Sequence, residues 1–198
     1  MSGRYPTYEV LDKWSSPSFD NLTRGVLRQR LHCPPERRFF TVEEWSLMEA
    51  ISARLAPRPE RGGVIPITPW IDADLYANRG EGFRAPDMPP LQSAWRLGLA
   101  GFAAEAEARC GRPFQALEPA EQDAQLRRVQ AGEVDRRLWR VPAKRFFDDL
   151  LLKAVVGVYY AHPDAWNEMG FGGPASPRGY VRLGLDRRDP WEAKEQNG

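Results

Sequence analysis

The chain has 198 residues, 42% hydrophobic and 28% charged, with 28 basic against 27 acidic side chains and a formal net charge of +1. A chain this long buries a core without a disulfide framework, and its apolar and aromatic content excludes disorder throughout. The balanced charge excludes the electrostatic footprint of a nucleic-acid or anionic-membrane binder.

In chain order, the first residues carry Tyr5, Tyr8, Trp14 and Phe19 among prolines and serines. That mixture predicts an irregular segment ordered against a surface rather than a free tail. Asp20 is placed to cap a first helix running to Leu31, ended by Pro34 and Pro35. Thr41 and Glu44 have capping-box spacing. The helix they start puts Trp45, Met48, Ile51, Ser52 and Leu55 on one face. After a Pro/Gly-rich loop, Thr68 and Pro69 read as the cap and first residue of a short helix through Leu75. Residues 78–90 form a second loop.

The longest periodic segment runs from Leu91 to Cys110 and stops at Gly111. A glycine inside such a helix costs about 1 kcal/mol against alanine, so Gly98 predicts close packing at that point. Residues 114–119 turn into another helix, Ala120 to Gln130. A last helix, Pro142 to Tyr160, is apolar over more than half its circumference and belongs in the middle of a bundle. No alternating run long enough for a strand is present. The fold class predicted is all-α: an irregular helical bundle with long non-regular N- and C-terminal segments. Residues 1–19 form an aromatic arm, 20–162 a helical domain and 163–198 an extended Gly/Pro-rich partner-binding segment.

Little in the chain reads as chemistry. Cys33 and Cys110 are far apart and read as two free, packed thiols. His32 and His162 sit in no metal-ligand pattern. His162, followed by Pro163, reads as the C-terminal cap of the last helix. Asp148 and Asp149 are adjacent helical carboxylates, about 100° apart, and so a solvated or ion-paired face rather than a dyad. Gly170–Gly179 lacks the lysine and spacing of a phosphate loop. No catalytic, cofactor-binding or metal-ligating residue is assigned. The irregular segment after His162, anchored by aromatics, instead reads as an interface. Its candidate contact residues are Trp166, Phe171, Pro174, Arg178, Tyr180 and Trp191, followed by Tyr5, Tyr8 and Trp14.

Three stretches carry a family resemblance: residues 39–45 leading to Ile51 and Pro57, residues 114–122, and residues 159–163 with Trp166 and 170–174. In that order they resemble the gluconate 2-dehydrogenase subunit 3 family. The resemblance implies a non-catalytic small subunit that binds and stabilises a dehydrogenase large subunit. It implies that the partner has the glucose–methanol–choline fold, carries FAD and oxidises a sugar or alcohol. No cofactor is then expected in this chain itself. Two other readings compete. One is a homo-oligomeric helical scaffold, the other a stand-alone enzyme using His162 with Asp164 and Glu168. The first residues do not read as a signal peptide, and the longest apolar stretch, residues 154–161, is too short to span a bilayer. The expected location is the cytoplasm, or the periplasm where the partner carries the export signal.

Overall fold

The computed structural model describes residues 4–56, 58–59, 62–80, 82, 84–174 and 192–194. Among them every regular element is a helix. The helices are α1 (Asn21–His32), α2 (Val42–Leu55), α3 (Ile67–Tyr76), α4 (Leu91–Cys110), α5 (Pro119–Ala131) and α6 (Ala143–Arg145). A π-helical segment (Phe146–Leu152) follows, then α7 (Lys153–Tyr159) and α8 (Pro163–Met169). Short 3₁₀ turns lie at Val10–Lys13 and Phe114–Ala116. The all-α expectation holds.

The chain divides into two compact units. The larger comprises Pro35–Pro57 and Pro66–Val158, and the smaller comprises Met1–Pro34, Arg58–Ile65 and Tyr159–Gly198. The smaller unit thus contains residues from both ends of the chain.

The larger unit is organised by aromatic rings. Phe39, Phe40, Trp95, Phe146, Trp139, Phe102 and Phe114 form an unbroken series of tilted and edge-on contacts, with centroids 5.1–6.5 Å apart. Each such pair adds about 0.5–1.5 kcal/mol beyond the area it buries. The series needs α4 to be narrow where the rings cross it, and Gly98 and Gly101 supply this. A Cβ on Gly98 would stand 2.3 Å from the Phe146 ring, and one on Gly101 would stand 2.7 Å from Trp139. The close approach expected at Gly98 is therefore present.

The polar groups of this unit are tied down locally. Thr41 and Glu44 form the expected capping box on α2. Asp72 on α3, fully buried, accepts hydrogen bonds from three consecutive amides, Arg38 N at 2.7 Å, Phe39 N at 3.0 Å and Phe40 N at 2.8 Å. Arg96 lies 4.2 Å from the centre of the Phe39 ring, donates to the Phe39 carbonyl and pairs with Glu44. Lys144–Asp148 and Arg145–Asp149 are ion pairs one turn apart, so the two aspartates form the paired face expected of them.

Three local expectations are corrected. The α3 helix begins at Ile67, one residue before the expected cap, because Ile67 is drawn into the core and Thr68 with it. The Thr68 hydroxyl is buried without a hydrogen-bond partner. The last helix of this unit is not one regular α-helix. Its middle, Phe146–Leu152, is wound as a π-helix, and the wider turn lets the neighbours Phe146 and Phe147 both stay buried together with Leu151. Finally, Cys33 and Cys110 are free as expected, but exposed rather than packed, each at the end of a helix.

Candidate partner-binding surface

The smaller unit is built around α1 and α8, and its chemistry starts with how α8 begins. His162 is the N-cap of α8, with Pro163 at the first helical position. Its Nδ1 accepts from the Asp164 amide at 3.3 Å. The sequence reading of His162 as a C-terminal cap is therefore corrected. Proline after a helix ended one element and started the next, and the stretch expected to be irregular opens with seven helical residues. Gly170, at φ +67°, ends α8 in the left-handed region that L side chains avoid. A Cβ there would also meet the Tyr5 ring at 2.7 Å.

α8 gathers the N-terminal residues around it. Trp166 packs with Tyr8, Val10, Phe19, Leu27 and Ala193, with Tyr5, Leu11 and Trp14 at the margin. Polar bonds fix the same contact. The Val10 amide donates to Asn167 Oδ1 at 2.7 Å, and Asn167 Nδ2 donates to Glu9 at 2.5 Å. Lys13, itself buried, donates to the Gly172 carbonyl, and Tyr8 Oη donates to the Phe171 carbonyl at 3.4 Å. Trp166 Nε1 donates to the Tyr160 carbonyl at 2.6 Å, and Arg30 donates to the Ala161 carbonyl at 2.7 Å. Burial beside Glu192 and Glu9 pushes the Tyr8 phenol up to about 12. Burial, with Glu168 adjacent, likewise raises the Tyr159 phenol.

These bonds place the residues singled out from sequence in two classes. Tyr8 and Trp166 are buried in the core of this unit, and Tyr5 and Trp14 are partly buried against it. Phe171 is 46% exposed. One side of its ring meets Trp166 edge-on at 5.5 Å, and Pro174 just beyond it is exposed. Arg178, Tyr180 and Trp191 lie outside the described residues.

The exposed apolar side chains of this unit include two that sequence reading missed. Leu22 is 77% exposed and Val26 40% exposed, one turn apart on α1. Their counterparts on the same helix, Leu27 and Leu31, are also one turn apart, and Leu27 is buried. Two apolar i,i+4 pairs at different angles on one short helix were the available signal, since only one pair can face the unit's core. Val64, Tyr160 and Met169 add further exposed apolar surface.

The acid–base groups of this region hold structure. His162 Nδ1 lies 3.7 Å from Asp164 Oδ2 as well as capping α8, and Tyr159 Oη donates to Glu168 at 3.3 Å. Among the described residues no group of three or more His, Cys, Asp or Glu is arranged to hold a metal, and no helix is long and apolar enough to cross a membrane.

The burial of His162 lowers its affinity for a proton below the ordinary value of 6.5. Arg30 works in the same direction and Asp164 against it. A lowered folded value means the unfolded chain binds the proton more readily. Stability is thus complete above about pH 6.5 and falls as pH drops through the folded value. Protonation also removes the lone pair that caps α8. The protection factor of the Asp164–Met169 amides, exchange corrected for its base-catalysed intrinsic rate, is expected to be high and level above about pH 6.5 and to fall below it. His162→Asn keeps a capping acceptor and should flatten the profile. A level wild-type profile down to pH 5 would contradict this role.

The family model described as gluconate 2-dehydrogenase subunit 3 matches residues 42–173, more than half of the chain. No curated protein and no solved structure matches it. The match begins at the first residue of α2 and ends within the segment that follows α8. The chain belongs to the gluconate 2-dehydrogenase subunit 3 family.

Proposed function

We propose that this protein is the non-catalytic small subunit of a dehydrogenase complex, and that it binds and stabilises a large subunit that carries FAD in the glucose–methanol–choline fold. The large subunit oxidises a sugar or alcohol, and this chain contributes no cofactor. The family membership supports a subunit role. The observation that carries the docking surface is the solvent-facing set Leu22, Val26 and Phe171. These are large apolar side chains left open on a unit whose aromatics Tyr8, Phe19 and Trp166 are packed in its core. Apolar side chains held on a rigid support lose little entropy on binding and make effective anchors. The complex resides in the cytoplasm, or in the periplasm if the large subunit supplies the export signal.

Expressing the large subunit with and without this chain tests the reading. The large subunit alone is expected to be poorly soluble or poor in flavin, and co-expression to restore both. Replacing Leu22 and Phe171 together by aspartate should weaken the complex about tenfold or more, while the isolated chain stays folded at the assay temperature. A large subunit that is fully flavinated and active alone would overturn the stabilising role. Unchanged affinity in the double variant would move the interface elsewhere.

A further inference from the structure

The loop between α5 and α6 is the most arginine-rich connection in the larger unit. Gly132, at φ +77°, closes α5 in the left-handed region. The loop is then pinned by one buried carboxylate. Glu105 on α4 accepts from the Asp135 amide at 2.5 Å and from Trp139 Nε1 at 3.3 Å. Trp139 lies against Gly101, and the Leu138 amide donates to the Asp135 carbonyl at 2.9 Å. A loop fixed at this many points fixes the backbone from which its remaining side chains project.

Those side chains line a surface hollow of about 480 Å³. Its apolar lining comes from Val134, Trp139, Val141 and Pro142. Its charged lining comes from Arg136, Arg140 and Lys144, with no acidic residue. The three loop arginines are not equivalent. Arg137 is committed to Asp135, whose carboxyl it holds down at about 2 together with the Arg137 amide. Lys144 is committed to Asp148 at 2.7 Å. Arg136 and Arg140 have no acidic partner among the described residues. Two uncommitted guanidinium groups therefore stand at a hollow with an apolar lining, on a backbone that does not have to reorganise.

We propose that this hollow is a carboxylate-binding site that takes an acidic, partly aliphatic peptide segment of another protein. A guanidinium is a planar fork whose parallel N–H groups match a carboxylate. The apolar lining matches the methylenes of a glutamate and an aliphatic neighbour, which a free inorganic anion would leave unused. Desolvation on that lining strengthens the ion pairs relative to ones formed in open water. The site lies on the 132–144 segment and is independent of the surface proposed above for the large subunit.

Trp139 provides the readout, because its indole N–H points to Glu105 under the loop. The indole resonance, identified by its loss in Trp139→Phe, is followed in the ¹⁵N-labelled full chain. The probe is a blocked tetrapeptide with two glutamates between two leucines. The expected result is a saturable shift, weakened about tenfold or more in the Arg136→Ala, Arg140→Ala double variant. The glutamine version of the peptide should produce no shift. Both arginines are exposed, so the variant should fold, and its unchanged spectrum elsewhere checks this. Absence of a saturable shift would overturn the proposal, as would an equal response in the double variant or with the glutamine peptide. Inorganic phosphate saturating the shift at an equal or lower concentration would replace the peptide site by a general anion site.

Discussion

Asp72→Ala is expected to lower stability by about 3–4 kcal/mol. The residue has no exposed surface, and its two oxygens receive the amides of Arg38, Phe39 and Phe40. Three consecutive N–H groups converging on one acceptor make a concavity suited to a negative charge, and Asp72 is the charge that fills it. Alanine leaves those donors without partners beside a newly opened cavity. Each unsatisfied buried group costs about 1–3 kcal/mol, and the less buried Arg38 and Phe39 amides recover part of this through water. The damage spreads because the same three residues lead into the capping box of α2 and place Phe39 and Phe40 in the ring series. Asn at this position should recover only part of the loss, since its amide nitrogen is a donor facing donors. Urea unfolding measures this directly as a lower midpoint at unchanged slope. A loss below 1 kcal/mol would mean the 38–40 turn is held by Arg96 instead.

Trp166→Ala is expected to cost about 3–5 kcal/mol, and to do so in the smaller unit. The side chain is 4% exposed and lies between the N-terminal residues and Phe171, with its indole N–H bonded to the Tyr160 carbonyl. Its removal takes away the largest element of a small core that has few replacements. Residue-resolved hydrogen exchange separates local from global loss. The amides of Leu27 and of residues 167–169 should lose protection, while those of Met48, Leu99 and Leu151 keep theirs. Uniform loss would show that the two units unfold as one. Protection unchanged everywhere would show that Trp166 is not the centre of its core. The functional consequence follows from position. Phe171 leans on this ring, so the variant should also lose affinity for the large subunit, unlike Leu22→Asp, which should lose affinity alone.

What was legible in the sequence was whatever short-range chemistry encodes. The caps at Asp20 and Thr41, the proline at the start of α5 and the glycine after α4 act within four residues of themselves, and the helices begin and end where they direct. Gly98 was legible because an unfavourable residue in a strong helix needs a packing reason. The α8 helix was missed because Pro163 serves a stop signal and a start signal equally well, and only the backbone beyond it decides. The π-helical turn was missed because a run apolar over most of its circumference carries no phase from which to read its winding.

The role of Asp72 left no local trace, since its hydrogen-bond partners lie 32–34 positions earlier. Glu105, which organises the 132–142 loop from 30 residues away, is of the same kind. The aromatic residues of the two ends were recognised as ordered, but sequence does not tell a ring that faces its own core from one that faces a partner. Leu22 and Val26 form one of two apolar stripes on α1, and the sequence alone does not say which stripe faces the core.

Co-purification from the native cell, with the chain tagged and expressed at its natural level, tests whether it is a subunit of a flavin enzyme. The expected result is a stoichiometric larger protein whose visible spectrum shows bound flavin. A colourless chain recovered alone or as its own oligomer under gentle conditions would contradict it.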